Sequence, residues 1–390
     1  PLISEDGSTW MTGEDGHLIY NKGLAAAAQH DGKVHTHISQ NKETGRGASS
    51  RPPLQNLSKR REGDYSRIMG TWKLNPETGQ QEPKGDYLHI FGSPVYRAPI
   101  RTIFCASPGH VLVEADYTGA ELAVIAWLAN DANMIEHVRR NILPESDPNH
   151  YDIHSHTAVD TFQLPCEPTK KGLKDGGFAP LRVAAKNVNF GIPYGRSAEA
   201  IARQCKEEGV DVSIDDCQRM IDGYFVRYPG TAAFLQECRD RSQNQRWMAG
   251  SFGRMRRFIS TRDRSVIGEQ QRQAQNFPIQ NTVADAVWSA TYNFWEYRRQ
   301  NPEYNYRMLL QIHDALLFEV PIPELRPFLE NVLRPCMIEN VPIWPRYLDN
   351  TPMQVENPYH FGIDYDVQVN WGEDIEEEQA RALGIDLELV

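Results

Sequence analysis

The chain has 390 residues, 40% hydrophobic and 24% charged, with a net charge of −11. Those values fit a globular protein of two or three structural units and argue against a disordered or fibrous chain. No apolar run approaches the ~20 residues of a membrane span and no signal peptide is visible, so the expected setting is cytoplasmic, of a host cell if the source is viral. Six cysteines (Cys105, Cys166, Cys205, Cys217, Cys238, Cys336) form no C-x-x-C pair, which favours reduced thiols over disulfides or zinc.

The acidic total hides its distribution. Arg46, Arg51, Lys59, Arg60 and Arg61 give residues 46–61 a charge of +5, and eight arginines against Asp263 and Glu269 give 241–273 a charge of +6. Residues 373–390 carry seven acids and one arginine, and are expected to be a solvated acidic tail. Binding phosphate needs such local positive potential, not a basic total.

The chain begins at Pro1 rather than methionine, as expected of a processed product or one piece of something larger. Residues 1–31 read as irregular apart from the alanine-rich run at 24–28, and residues 62–86, rich in Gly, Pro and charge, as an exposed excursion. A buried strand is expected at Val111–Ala115, feeding a helix over Thr118–Ala129 whose apolar face carries Leu122, Ile125, Ala126 and Ala129. After a Gly-rich loop at 172–180, Pro180 suits the start of a helix over 181–192. Further helices are expected at 197–208 and 214–227, before Tyr228-Pro229-Gly230, and at 280–299. Leu309–Ile312 and Leu316–Val320 read as a hairpin with Asp314 in its turn. No internal repeat or low-complexity tract is visible.

Arg182, Lys186, Phe190 and Tyr194 recur every four residues. At about 100° per residue they lie within a stripe of roughly 120°. Cations beside aromatics on one stripe suit a nucleoside triphosphate, phosphates toward Arg182 and Lys186, base and sugar toward Phe190 and Tyr194. An amphipathic helix with snorkelling cations fits the stripe equally well. Asp116 and Asp314 each end or follow an apolar, β-leaning run. Two strand-borne carboxylates can hold a pair of divalent cations about 3.5–4 Å apart for in-line phosphoryl transfer, although a lone aspartate at a strand end is usually a turn residue.

In this order, Val113-Glu114-Ala115-Asp116-Tyr117, the 182–195 segment and Gln311-Ile312-His313-Asp314 resemble motifs A, B and C of the DNA polymerase I family (family A). The resemblance covers roughly residues 32–374. Thr44-Gly45-Arg46, Ser49-Ser50 and Leu54-Gln55-Asn56 resemble the family's T-G-R-x-S-S…L-Q-N segment, and Asp152-Ile153-His154 opens a D-I-H-T-x-T-A-like run. Arg272, Asn276, Pro278 and Gln280 match a helix start that holds template and primer, and Trp371-Gly372-Glu373 resembles the usual ending. The resemblance implies an α+β right-hand polymerase fold: an antiparallel palm sheet, a largely helical fingers subdomain and a mostly absent thumb. Palm would comprise 32–130 and 275–390 with its acidic tail, fingers 131–274, and residues 1–31 the remnant of an upstream thumb or linker.

The implied activity is template-directed DNA synthesis from dNTPs on a primer–template, without proofreading. Asp116, Asp314 and the carbonyl of Tyr117 would hold two Mg2+ ions, with Mn2+ as a substitute. Arg182, Lys186 and His154 would bind the triphosphate, Lys186 also serving catalysis. Phe190 and Tyr194 would stack on the nucleotide and the template base. Glu121 would be the steric gate against a ribose 2′-OH, hydrogen-bonded to Tyr194, and Phe190 implies discrimination against nucleotides lacking a 3′-OH. Arg46, Gln55, Asn56, Arg272, Asn276, Gln280 and His313 would contact DNA. A separate chain could supply the thumb or an exonuclease.

Departures from the family pattern are Gly119 for Gln, Ala123 for Arg, Asn281 for Gly, Pro193 inside motif B, and Ala315 where motif C commonly has Glu. Pro193 should end or kink its helix near Asn189, and Glu319 is a candidate to replace the missing acid. A catalytically weakened primer–template-binding subunit, a single-subunit RNA polymerase-like enzyme and a metal-dependent hydrolase are the alternatives. Glu121, Phe190 and the Asn276…Gln280 pattern disfavour the RNA polymerase.

Overall fold

A computed structural model describes residues 32–57, 101–339, 341 and 361–389, with the backbone alone of 2–3, 9–12, 18–20, 72–74, 81–83 and 100. Residues 1–31, expected to be irregular, include three antiparallel strands at Leu2–Ile3, Thr9–Thr12 and Leu18–Tyr20. Within the expected excursion at 62–86, Trp72–Leu74 pairs with Gln81–Pro83. The alanine-rich run at 24–28, the rest of 62–86, and Lys59, Arg60 and Arg61 lie outside the described residues.

A small hairpin, β1 (His37–Ser39) and β2 (Ala48–Ser50), precedes the long strand β3 (His110–Thr118). Helices follow: α1 (Ala120–Ala129), α2 (Ala132–Asn141), α3 (Ile153–Phe162), α4 (Lys170–Asp175), α5 (Ala179–Gly191), α6 (Ala198–Glu207), α7 (Ile214–Arg227) and α8 (Pro229–Asn244). The hairpin β4 (Trp247–Ala249) and β5 (Met255–Arg257) leads into α9 (Arg264–Gln300), then β6 (Arg307–Ile312) and β7 (Ala315–Pro321). A helical run α10 starts at Leu325–Phe328 and continues in π-type turns to Glu339; β8 (Gly362–Asn370), β9 (Glu373–Asp374) and α11 (Glu377–Leu383) complete the chain. Side-chain caps start most helices: Asp131, Asp152, Thr169, Ser197, Ser213 and Asp263 each accept an orphan backbone N–H, typically worth ~1 kcal/mol.

The main sheet is antiparallel in the order β6-β7-β3-β8-β9. Period-2 alternation splits its side chains between two cores. Val111, Val113, Ala115 and Tyr117 join Leu316, Phe318, Val320 and the helices; Leu112 joins Leu54, Leu310, Leu317 and Trp371 on the other face. On that second face Glu114 is only 3% exposed. It accepts from Trp371 Nε1 (2.9 Å) and pairs with Arg101 (3.7 Å), whose guanidinium lies 4.4 Å from the Trp371 ring centre.

Several expectations need correction. Rather than burying one stripe, α1 is buried nearly all round, packed against α2, α8 and α9. The expected 172–180 loop is partly the helix α4, capped by Thr169. The helix expected over 280–299 begins at Arg264 and runs through Pro278. Buried Ala274, Phe277, Ile279 and Val283 supply packing to set against the ~3 kcal/mol cost of an interior proline. The acidic tail is folded, because Ile375, Ala380, Ile385 and Leu389 are buried in the main core while Arg326 pairs with Asp386 and Glu388.

Phe294 of α9 is buried against Phe318 of β7 (ring centres 4.5 Å apart) and Phe328 of α10 (6.3 Å). Phe294→Ala should therefore cost ~3–5 kcal/mol of unfolding free energy in urea denaturation.

Candidate active site

In the register of β3 with β7, Ala315 stands opposite Asp116. Asp314, second residue of the two-residue turn before it, is thus one position away. His313 opens that turn in the left-handed region, φ 58°. Asp116 is exposed and Asp314 half-exposed, whereas Ala115 and Tyr117 are buried on the opposite face. Tyr117 is anchored by its hydroxyl donating to Met337 O (2.8 Å), and burial raises its phenol pKa far above the ordinary value. On the other side of β3, Asp364 stands opposite Asp116 and accepts from Thr118 Oγ1 (3.0 Å). Glu319 does not replace the acid missing at Ala315: it stands opposite Leu112 and is held by Ser107 N (2.8 Å) and Arg307 (3.1 Å). No group of three or more His, Cys, Asp or Glu side chains among the described residues forms a metal site by itself.

Directly after β3, Gly119 adopts φ 58°, a left-handed conformation that glycine takes without the Cβ penalty. The strand can therefore turn at once into α1 and carry Glu121 on its first turn. Glu121 gathers residues from distant segments. Tyr194 Oη lies 2.8 and 2.7 Å from its two oxygens, Arg46 Nη2 donates at 2.5 Å, and Gln280 Nε2 donates to the Tyr194 oxygen at 2.8 Å. Burial and the Glu121 charge push the Tyr194 phenol up to about 12, so it stays a donor at neutral pH.

Motif B divides differently from the expected single stripe. The last α-helical bond of α5 runs from Ile192 N to Val188 O. Pro193 has no N–H for Asn189 O, so the chain tightens into a 3-10 turn at Ile192–Tyr194. That turn, not the α-helix, delivers Tyr194 to Glu121. Along α5, Arg182 Nε donates to Asp152 Oδ2 (2.7 Å) and Ser155 Oγ (3.1 Å), and Lys186 is exposed with its Nζ 5.9 Å from the Phe190 ring centre. The His154 ring lies 5.4 Å from Phe190, and its Nδ1 is 3.0 Å from Asn189 Nδ2. Burial, helped by Arg182 and Lys186 and opposed by Asp152, pushes the His154 pKa down to about 4.

The residues expected along DNA divide into presented and internally used groups. Arg272, Asn56 and His313 are exposed, and Asn276 has a buried Oδ1 without a partner. Gln55 is buried: its amide accepts from Ser49 N (2.7 Å) and donates to Gln311 O (2.8 Å), bracing the 48–57 segment against β6. Of the arginines in 241–273, Arg254 pairs with Asp285, Arg256 with Glu43 and Arg241 with Glu237. Arg246, Arg257, Arg262, Arg264 and Arg272 remain exposed. A groove of 750 Å³ lined by Phe252, Arg254, Asp285, Trp288 and Tyr292 includes none of the expected site residues. Sequence reasoning missed Asp152 as the partner of Arg182, Asn189 and Asp364. Only Asp152 carries a local signal, as a cap before a helix.

A sequence model of DNA polymerase family A matches residues 16–356. DNA polymerase I of Treponema pallidum (strain Nichols) is 30% identical over 308 residues, 78% of this chain and 25% of that protein. The thermostable DNA polymerase I of Thermus thermophilus is 31% identical over 295 residues, 74% of this chain and 28% of that protein. The chain thus matches only about a quarter of the length of these relatives. Among solved structures, the POL domain of Pol1 from M. smegmatis in complex with DNA primer-template and dNTP aligns with TM-score 0.65 and 25% identity, covering 90% of this chain and 50% of that one. No helix among the described residues is long and apolar enough to cross a membrane.

The depressed His154 pKa has a definite consequence for stability. Between its ordinary value of 6.5 and about 4, the unfolded chain binds the proton more readily than the folded one. Stability from the neutral ring is therefore complete above pH 6.5 and lost as pH falls toward 4. Urea denaturation across that range should show a declining unfolding free energy, with a shallower slope in His154→Gln.

Proposed function

Because the chain belongs to DNA polymerase family A and has its α+β right-hand fold, we propose that it performs template-directed DNA synthesis, joining dNTPs to a primer 3′-OH. The observation that carries this reading is the register that sets Asp314 beside Asp116 at the open end of the sheet, with the helix bearing Arg182, Lys186 and Phe190 tied to the same place through Tyr194 and Glu121. The sheet and its surroundings, 32–130 and 275–390, would be the palm, and 131–274 the fingers.

Mg2+, with Mn2+ as a substitute, fits the donor set: two hard carboxylates at strand ends and the Tyr117 carbonyl, the other positions left to water and triphosphate oxygens. When bound, the ions lower the pKa of the primer hydroxyl and neutralise the leaving pyrophosphate. Arg182 and Lys186 draw the triphosphate to α5, and Phe190 and Tyr194 offer faces for the nucleotide and the template-side base. Glu121, held by both Arg46 and Tyr194, is a fixed wall against a ribose 2′-OH rather than a side chain that swings aside. Arg46, Asn56, Arg272, Asn276, Gln280 and His313 would follow the primer–template, with Gln55 supporting them from below. A cytoplasmic setting is part of the same proposal. Ala315, adding no acid beside Asp116, favours one second reading: a primer–template-binding chain with weakened catalysis.

Primer extension on a DNA template with Mg2+, comparing dNTPs with rNTPs, tests the proposal. Extension with dNTPs alone is expected, falling more than roughly a hundredfold in Asp314→Asn, with rNTP use rising in Glu121→Ala. Salt-sensitive primer–template binding without extension would favour the binding chain. Efficient rNTP use by the unaltered protein would remove Glu121 as a gate.

A further inference from the structure

On α5, Asn189 is fully buried and has no place in the chemistry proposed above. Its Nδ2 lies 3.0 Å from His154 Nδ1, 3.2 Å from Thr157 Oγ1 and 3.5 Å from Ile153 O. A threonine hydroxyl has one proton, and that of Thr157 goes to Ile153 O, 2.8 Å away. The Thr157 oxygen therefore faces Asn189 as an acceptor, and the Ile153 carbonyl is a second acceptor on the same side. Only the NH2 end of the amide suits this pocket. Reversed, Oδ1 would meet the Thr157 and Ile153 oxygens with no proton between them, and could accept only from a proton on His154 Nδ1, giving up two contacts for one. The 3.4 Å contact between Thr157 Oγ1 and Asn189 Oδ1 likewise has no proton to fill it.

The two amide protons then go to Thr157 Oγ1 and His154 Nδ1. A ring nitrogen that accepts is unprotonated, so the neutral imidazole must carry its proton on Nε2. We infer that Asn189 is a positioning residue that locks His154 in the Nε2–H tautomer, so that the ring offers a neutral N–H donor to the phosphates of the incoming nucleotide. This inference rests on the triphosphate role proposed for His154. The alternative tautomer would turn a lone pair toward the phosphates, changing attraction into repulsion. The same first turn of α3 fixes both phosphate-facing groups, since Asp152 holds Arg182 by Nε and leaves its two terminal nitrogens for a ligand.

The full chain labelled with 15N-histidine, without nucleotide at pH 7.5, gives the direct test. The His154 signals, identified by their loss in His154→Gln, should show an unprotonated Nδ1 and a protonated Nε2. Asn189→Asp, whose carboxylate can only accept, should move the proton to Nδ1. Binding of dTTP with Mg2+ to the primer–template complex should then weaken roughly tenfold, with primer–template affinity unchanged. Thr157→Val, which removes the hydroxyl that orients the amide, should give mixed tautomers and carries the test if Asn189→Asp does not fold. A protonated Nδ1 in the unaltered protein would overturn the inference. So would a moved proton that leaves dTTP binding unchanged. Failure of the underlying reading is separate: dTTP binding unchanged in His154→Gln would deny that ring any phosphate role, whichever tautomer the spectra record.

Discussion

The antiparallel pairing of β3 with β7 on one side and β8 on the other is the constraint on which the site depends. Both faces of this sheet are covered along most of its length, one by helices and one by the smaller core around Leu54, Leu112 and Trp371. Cover runs out at the end of β3, where Asp116 is exposed on the second face. A strand so paired cannot slip by one residue without turning its whole apolar set to the wrong side. The packing that stabilises the sheet therefore fixes the direction of Asp116 and the placement of Asp314.

Polar groups connect the helices to that sheet. Glu121, Tyr194, Arg46 and Gln280 form one bonded cluster, and Asp152, Arg182, Asn189, Thr157 and His154 form another. Partly withdrawn from water, such networks hold their members rigidly when every donor and acceptor is used. The first cluster would fix the wall of the proposed nucleotide site, the second the groups that would meet its phosphates. Pro193 takes part in this arrangement rather than damaging it, since the helix end it enforces brings Tyr194 to Glu121.

Much of this was legible in the sequence wherever the information is local. The strand and hairpin carrying Asp116 and Asp314, the boundaries of α6 and α7 within a residue, and the meeting of Glu121 with Tyr194 follow from short patterns or from the family resemblance. What depends on distant pairing was not. Asp364 faces Asp116 only through a register spanning almost 250 residues of chain. Glu319 was a candidate until its own pairing placed it opposite Leu112. The start of α9 was hidden by Pro278, which locally reads as a boundary. The acidic tail looked solvated because its four buried apolar residues are scattered among seven acids. Asn281, a departure when viewed alone, has a counterpart: a Cβ on Gly250 would fall 1.9 Å from its Oδ1, and its Nδ2 donates to Thr44 O (3.0 Å).

In the proposed function, Asp116 and Asp314 together form the metal-holding end of the sheet. The most direct test of that role is anomalous diffraction from crystals of this chain with a dideoxy-terminated primer–template, the matching dNTP and Mn2+. Two peaks about 3.5–4 Å apart, each within coordination distance of Asp116 and Asp314, are the expected result. Peaks that avoid either carboxylate, in crystals where nucleotide density is present, would contradict it.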